Sequence, residues 1–323
     1  MKKRKFKFFK LSLVNLLLLL LAAFGAGYTT SYFIYQVQPH LQSPLQIYVQ
    51  PNAKDILKEK VSAPPRLPVI SHNNCLIKCP MGMPADNIFV DHGVIALSSN
   101  RKTKFADWVA YLVVSDYITG PARTRNWHKD PMIDAQYTFT PTDYTRMSLD
   151  PYLFDRGHQA PLAAFKNHPK WFALNYLSNI TPQKKDLNRG AWKSLESAER
   201  KLVLKYQAAY VLTGPYYEEN NVIQGPPIDR IKYVIPSGYW KIIATKSGDT
   251  IKTASFLFPQ NTPPRDSHCK HLTSIPQVEK MTGLKFFDGK APLEALSLNE
   301  DVGCGLKEEL KVNGKSPKNS AKS

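Results

Sequence analysis

Four consecutive residues, Asp155-Arg156-Gly157-His158, set an acid, a guanidinium and an imidazole within one short stretch of chain. Together they could grip a phosphate and accept a proton at one place, because arginine's planar fork matches phosphate oxygens and histidine titrates near neutrality. Taken alone, the tetrapeptide suits a structural histidine beside a surface Asp–Arg pair at least as well.

Downstream, Asn175 to Trp192 reads NYLSNITPQKKDLNRGAW, rich in amides and placed just before the clearest helix in the chain. Amide oxygens are hard ligands of the kind magnesium accepts, and an amide at the start of a helix can aim its carbonyl at an ion. Local grounds leave Asn188 equally plausible as an N-cap and Asn179 as a turn-forming amide. Glu196 follows Asn188 by about two turns and Arg200 follows Glu196 by about one, so all three can line one side. An exposed Glu196–Arg200 pair worth ~0.3–0.5 kcal/mol is the plainer alternative.

These residues need elements to hold them. Ala191 to about Tyr206 carries Trp192, Leu195 and Leu202 as an apolar stripe with Lys, Glu and Arg opposite, which predicts a helix. A shorter one is expected over Gln277–Thr282, stopping at Gly283. Strand character marks Ile88–Leu97, Phe105–Val114, Ala208–Thr213, Tyr239–Thr245 and Thr250–Phe258, with a hairpin turn at Lys246-Ser247-Gly248-Asp249. Strands outnumber helices without regular alternation, so the class is α+β, a central antiparallel sheet flanked by helices. No internal repeat is visible.

The remaining chain gives the setting. With 323 residues, 43% of them apolar, it can bury a sizeable core. Six basic residues in Met1–Lys10 precede an apolar run from Leu11 to about Tyr35, and that run exceeds the ~20 residues needed to cross a bilayer. It reads as an export signal. Small residues at Ala23, Gly25, Ala26 and Gly27 offer a cleavage site, while apolar character continuing to Tyr35 favours a retained membrane anchor. Either way the rest is exported, to the periplasmic face of the inner membrane if anchored and to the periplasm or medium if cleaved. Residues 1–35 are thus a signal or anchor and 36–70 a proline-rich spacer; 71–305 form the catalytic-size domain, and 306–323 a disordered basic tail. Four cysteines, Cys75, Cys79, Cys269 and Cys304, can pair as two disulfides in an oxidising space, which is favoured over a four-thiolate zinc site because only one close-spaced pair is present. Much of the net charge of +17 sits in the leader, spacer and tail, leaving the domain a moderate basic excess that suits a polyanion without identifying one.

Several motifs together resemble the DNA/RNA non-specific endonuclease family, which includes secreted bacterial nucleases and mitochondrial endonuclease G. They are the DRGH tetrapeptide continued by Gln159-Ala160-Pro161, the Asn175–Trp192 segment with its following Leu195-Glu196, and the upstream Arg123-Thr124-Arg125-Asn126-Trp127. The likeness covers roughly residues 71–304 and takes in Cys75-x3-Cys79-Pro80, Thr213-Gly214-Pro215, Ile235-Pro236-Ser237 and Trp240-Lys241. It implies a ββα-metal active-site motif and an endonuclease that cleaves DNA and RNA with little sequence preference, leaving 5′-phosphate ends. By the same resemblance His158 is the general base and Asn188 the single direct protein ligand to magnesium, with manganese able to substitute. Glu196 orients the ion's waters, Asn179 is a supporting amide, and Arg125, Arg156 and Arg200 hold the scissile phosphate. A late Cys269/Cys304 pair is implied too, though its flanks are less specific than the catalytic segments, and a homodimer is a further expectation.

The chemistry agrees with the resemblance. A phosphodiester is a stable anion, so attack by water needs a stronger nucleophile, a cation on the non-bridging oxygen and help for the leaving group. A histidine with an ordinary pKa of about 6.5 would serve as the base, and acid pH should abolish activity. Contacts confined to phosphate and sugar read no bases and weaken steeply with salt.

Overall fold

Side chains alternate along Ala106–Val114: Val109, Tyr111 and Val113 enter one apolar core, Trp108 and Ala110 another. A strand covered on both faces belongs inside a sheet. The computed structural model describes residues 74–148, 153–219, 223–224, 234–247, 250–289 and 296–305, all within one compact unit, Arg66–Ser323. The leader, the whole of the spacer and the basic tail lie outside the described residues. Among those described, no helix is long and apolar enough to cross a membrane.

In chain order the strands are β1 (Ile88–Asp91), β2 (Ala96–Ser99), β3 (Ala106–Val114), β4 (Phe154–His158), β5 (Ile180–Lys184), β6 (Ala208–Tyr216), β7 (Ile223–Gln224), β8 (Val234–Ile235), β9 (Gly238–Ser247), β10 (Thr250–Pro259), β11 (Leu272–Thr273) and β12 (Leu296–Ser297). The large sheet runs β1-β2-β3-β6-β9-β10-β11; its neighbours are antiparallel, and β12 joins β10 in parallel. Two further pairs, β4–β5 and β7–β8, stand apart from it. The helices are α1 (Pro141–Met147), α2 (Lys193–Tyr206) and α3 (Ile275–Thr282), with short helical turns between strands. Helix α3 ends at Gly283, as its sequence predicts.

The α+β class and the antiparallel sheet are as expected, with two corrections among the elements. Ile88–Leu97 is a hairpin rather than one strand, because the chain reverses at His92-Gly93 and Val90 pairs with Leu97. The DRGH tetrapeptide and the segment Ile180–Lys184 had no strand assigned to them, yet they form the β4–β5 pair, with His158 opposite Ile180. Polar residues and a proline hide that pair from a hydrophobicity pattern.

One face of the sheet packs against α2, where Leu195, Leu202 and Val203 are fully buried beside Tyr239, Ile243 and Phe256. Each such side chain withdrawn from water contributes about 1.5–3 kcal/mol. The opposite face carries Trp108, Leu212, Trp240 and Ile242 against Val278 of α3. The β4–β5 pair is tied to the sheet by Tyr239, whose hydroxyl donates to the Pro182 carbonyl at 2.7 Å and lies 3.0 Å from Thr181 Oγ1. Both disulfides are formed, Cys75–Cys79 and Cys269–Cys304. Among the described residues, one His/Cys/Asp/Glu group has spacing tight enough for a metal, His268, Cys269 and Cys304, and its sulfurs are already bonded to each other.

Candidate active site

Strand β4 carries Asp155, Arg156 and His158 along its length, opposite Gln183, Pro182 and Ile180 of β5, and the chain leaves β5 directly into helical turns, two strands and a helix in succession. Residues Lys185–Leu187 form one α turn, Asn188–Trp192 a wider π turn, and α2 follows at Lys193. The helix predicted from Ala191 therefore starts two residues later. Gly190 breaks helical geometry inside the π turn (φ −98°, ψ −112°), and a β-carbon there would stand 2.7 Å from the Pro264 carbonyl oxygen.

This arrangement brings His158, Arg125, Arg156, Asn188, Glu196 and Arg200 to the wall of one open cavity of about 850 Å³. Asn179, the seventh residue singled out, does not reach it. Its side chain is fully buried and spent on backbone, accepting from the Ala160 N–H at 2.9 Å and donating to the carbonyls of Ala160 (3.1 Å) and Leu174 (2.9 Å). It fastens the chain just after His158 and so positions the site without lining it.

His158 contacts Asn175, a residue to which the sequence assigned no role. Asn175 Nδ2 donates to the Thr124 carbonyl at 3.1 Å, which turns its oxygen toward His158 Nε2, 3.3 Å away. An oxygen there requires the neutral imidazole to carry its proton on Nε2, so Nδ1 keeps the free lone pair. Burial pushes the imidazole down to about 4, opposed by the Asn175 hydrogen bond and assisted by the charge of Arg125. That corrects the expectation of an ordinary pKa near 6.5. Trp127 packs against this histidine (ring centroids 5.2 Å apart) and under the Arg156 guanidinium at 5.4 Å.

Asp155 pairs with neither Arg156 nor a surface lysine. Its carboxylate takes both Nε and Nη2 of Arg189 (2.7 and 2.8 Å) and also Asn188 Nδ2 at 2.9 Å. Burial alone would raise this carboxyl, but those hydrogen bonds outweigh it and hold the group below its ordinary value. With its nitrogen pinned, Asn188 has its amide oxygen left to give, and it is not an N-cap: that position before the π turn is Leu187. Arg156 donates Nη2 to the Pro141 carbonyl and to Thr145, while its Nε is buried without a partner. Arg200 bonds Ser197 rather than Glu196, and its Nη1 is likewise buried and unpaired. Unmet guanidinium N–H groups beside a cavity suit an incoming phosphate oxygen. Glu196, pushed up to about 7 by burial with Lys241 opposing, is a carboxylate that a nearby cation would favour.

These donors fit a hard divalent cation that keeps most of its water: one amide oxygen held in place, two carboxylates of which Asp155 is already tied to Arg189, and no cage of thiolates or imidazoles in the cavity. Asn188 would hold such an ion directly, with Glu196 beside it.

Gly157 makes the placement of β4 exacting. A β-carbon there would fall 2.2 Å from Oε1 and 2.7 Å from Cγ of Gln183, which is fully buried, so the Gln183 side chain would have to shift inside the core. Gly157→Ala is expected to cost about 1–3 kcal/mol of stability and, because Arg156 and His158 flank the clash, to lower activity further than its melting temperature alone accounts for. Parallel melting and activity curves check this; wild-type values in both would remove the constraint.

Comparison with known proteins follows the same lines. A sequence model described as DNA/RNA non-specific endonuclease matches residues 73–293. A nuclease of Serratia marcescens is 40% identical over 240 residues, covering 73% of this chain and 85% of its own. A mitochondrial endonuclease G of Bos taurus is 28% identical over 220 residues, covering 64% and 71% respectively. A crystal structure of an EndoG/EndoGI complex superposes with a TM-score of 0.54 at 25% identity, covering 65% of this chain and 89% of that one.

Proposed function

The chain belongs to the DNA/RNA non-specific endonuclease family, and from that premise we propose that it hydrolyses phosphodiester bonds in DNA and RNA with magnesium at Asn188, leaving 5′-phosphate ends. The observation that carries this reading is the single cavity shared by His158, Asn188, Glu196 and the three arginines Arg125, Arg156 and Arg200. Manganese, also an oxygen-seeking ion, would substitute.

Each side chain has a separable task. Arg156 and Arg200 bring unpaired N–H groups to the non-bridging oxygens of the scissile phosphate, with Arg125 adding charge. His158, neutral and with Nδ1 free, takes a proton from the attacking water. Asn175 holds the ring in that tautomer, and Trp127 sets its tilt. When bound, the divalent cation supplies positive charge to the phosphate and assistance to the departing 3′ oxygen. Asp155 fixes the Asn188 amide so that its oxygen points to one place. Every group invoked comes from one chain, so the chemistry needs no second copy.

Nothing in this set reads a base, and tolerance of sequence and of sugar follows. Two disulfides suit an oxidising space outside the cytoplasm. We assign export to residues 1–35 and a spacer role to 36–70, and mass spectrometry of the mature N-terminus distinguishes a retained anchor from a cleaved leader.

The test is cleavage of plasmid DNA and of RNA with magnesium, with and without EDTA, followed by end-group labelling. Both substrates should be cut, EDTA should stop the reaction, and the new ends should accept label from polynucleotide kinase only after phosphatase treatment. Nucleic-acid binding without cleavage, or cleavage untouched by EDTA, would overturn the reading.

A further inference from the structure

Beneath the cavity lies an ion pair with no contact with solvent. Lys241 and Glu199 are both fully buried, with Nζ 3.1 Å from Oε2. Removing two charges from water is costly, and an apolar pair of similar volume often serves stability as well or better. The location of the pair suggests why it is present.

Lys241 stands in mid-β9 on the face that meets α2, between Tyr239 and Ile243, where alternation calls for another apolar residue. Its ammonium donates to Glu199 of α2 and, at 3.1 Å, to the Tyr111 hydroxyl of β3, which itself donates to Glu199 Oε2 at 3.1 Å. The same ammonium lies 4.7 Å over the ring of Trp192, the last residue of the π turn that begins at Asn188. Glu199 is one helical turn beyond Glu196 and adjacent to Arg200. One cation thus joins two strands of the sheet, the π turn and the helix at the point where the cavity residues leave it. Directional bonds of this kind specify a single seating, whereas apolar contacts between a helix and a sheet tolerate small slides.

We propose that Lys241, Glu199 and Tyr111 form a positioning element that fixes α2 on the sheet and so sets Glu196 and Arg200 opposite Asn188, at little or no gain in fold stability. None of the three lines the cavity. The inference rests on the reading of Glu196 given above.

The test is the double variant Glu199→Leu/Lys241→Met in the full chain, measured for melting temperature, for kcat and KM on plasmid DNA, and for magnesium binding by calorimetry without substrate. The expected result is a melting temperature equal to wild type or higher, KM within about two-fold, kcat lower by at least ~10-fold and magnesium binding weakened ~10-fold or more, the scale of loss seen when residues behind a metal ligand are removed. A pair that serves stability alone gives the reverse, a lower melting temperature with kcat and magnesium affinity kept, and that outcome overturns the proposal. Should the double variant not fold, Tyr111→Phe decides: a several-fold loss in kcat at an unchanged melting temperature upholds the proposal, and wild-type kcat with wild-type magnesium affinity overturns it. Glu196→Gln, run alongside, separates the two readings. An active Glu196→Gln enzyme sinks the assignment of Glu196, whereas an inactive one beside a fully active double variant sinks the positioning role alone.

Discussion

His158→Ala is expected to lower turnover by ~10²–10⁴-fold, the range for a positioned general base, while nucleic-acid affinity and folding stay near wild type. Affinity should persist because the arginines proposed to hold the phosphate do not bond this ring; Arg156 bonds the Pro141 carbonyl and Arg200 bonds Ser197. Folding should persist because the imidazole lines an open cavity, so its loss creates no sealed void. The pH profile gives a second handle. Burial holds the folded-state imidazole at about 4, so the base form dominates above that value and activity at saturating magnesium should fall only as pH drops through about 4. Stability behaves differently. The unfolded histidine titrates at about 6.5, so below that pH protons favour the unfolded chain; the contribution of this group is intact above about 6.5 and is lost progressively toward 4. A stability decline that begins well before the activity decline, and that is smaller in His158→Ala, is the expected pair of curves. An activity limb centred near 6.5 would show that His158 does not keep the half-buried environment described, and near-normal turnover in the variant would remove it from the role of base.

Asn188→Ala should change the demand for cation more than the affinity for nucleic acid. With one protein oxygen assigned to the ion, its loss is expected to raise the half-saturating magnesium concentration by ~10²-fold, and turnover at ordinary magnesium should fall accordingly. Because Asp155 holds the Asn188 amide at 2.9 Å, Asp155→Ala should reproduce part of this, about 10–100-fold. Magnesium titrations of rate and of binding heat follow both variants. An unchanged magnesium dependence in Asn188→Ala would falsify its assignment as the ligand, whatever happened to turnover.

How much of this could be read from residues alone depended on the kind of signal involved. The long strands at Ala106–Val114, Gly238–Ser247 and Thr250–Pro259 have apolar side chains on their faces, and hydrophobic pattern finds such elements. It missed β4 and β5 because their side chains are chosen for contacts to other polar groups. The six residues at the cavity were legible through motif resemblance; Asn179 was legible as important but not as buried, since nothing in a sequence says whether an amide faces substrate or backbone. Asn175 sat in plain view in the same segment as Asn179 and Asn188, yet its role follows from its Thr124 contact, 51 residues away. Glu199 was read with the polar face of α2; that it points inward depends on Lys241, a residue of a different strand. Partnerships between distant polar residues are the part of the site that one sequence does not disclose.

The π turn at Asn188–Trp192 has a geometrical consequence for the cation site. A straight α-helix rotates about 100° per residue, which would leave Asn188 and Glu196 about 80° apart in azimuth. The backbone between them is not a continuous helix, because Gly190 leaves helical geometry inside the π turn (φ −98°, ψ −112°), and across that kink both residues come to face one cavity. The bearing of one oxygen relative to the other is therefore governed by the count of residues in that loop of backbone more than by their identities, and lengthening or shortening it by one would disturb the pair more than most substitutions within it.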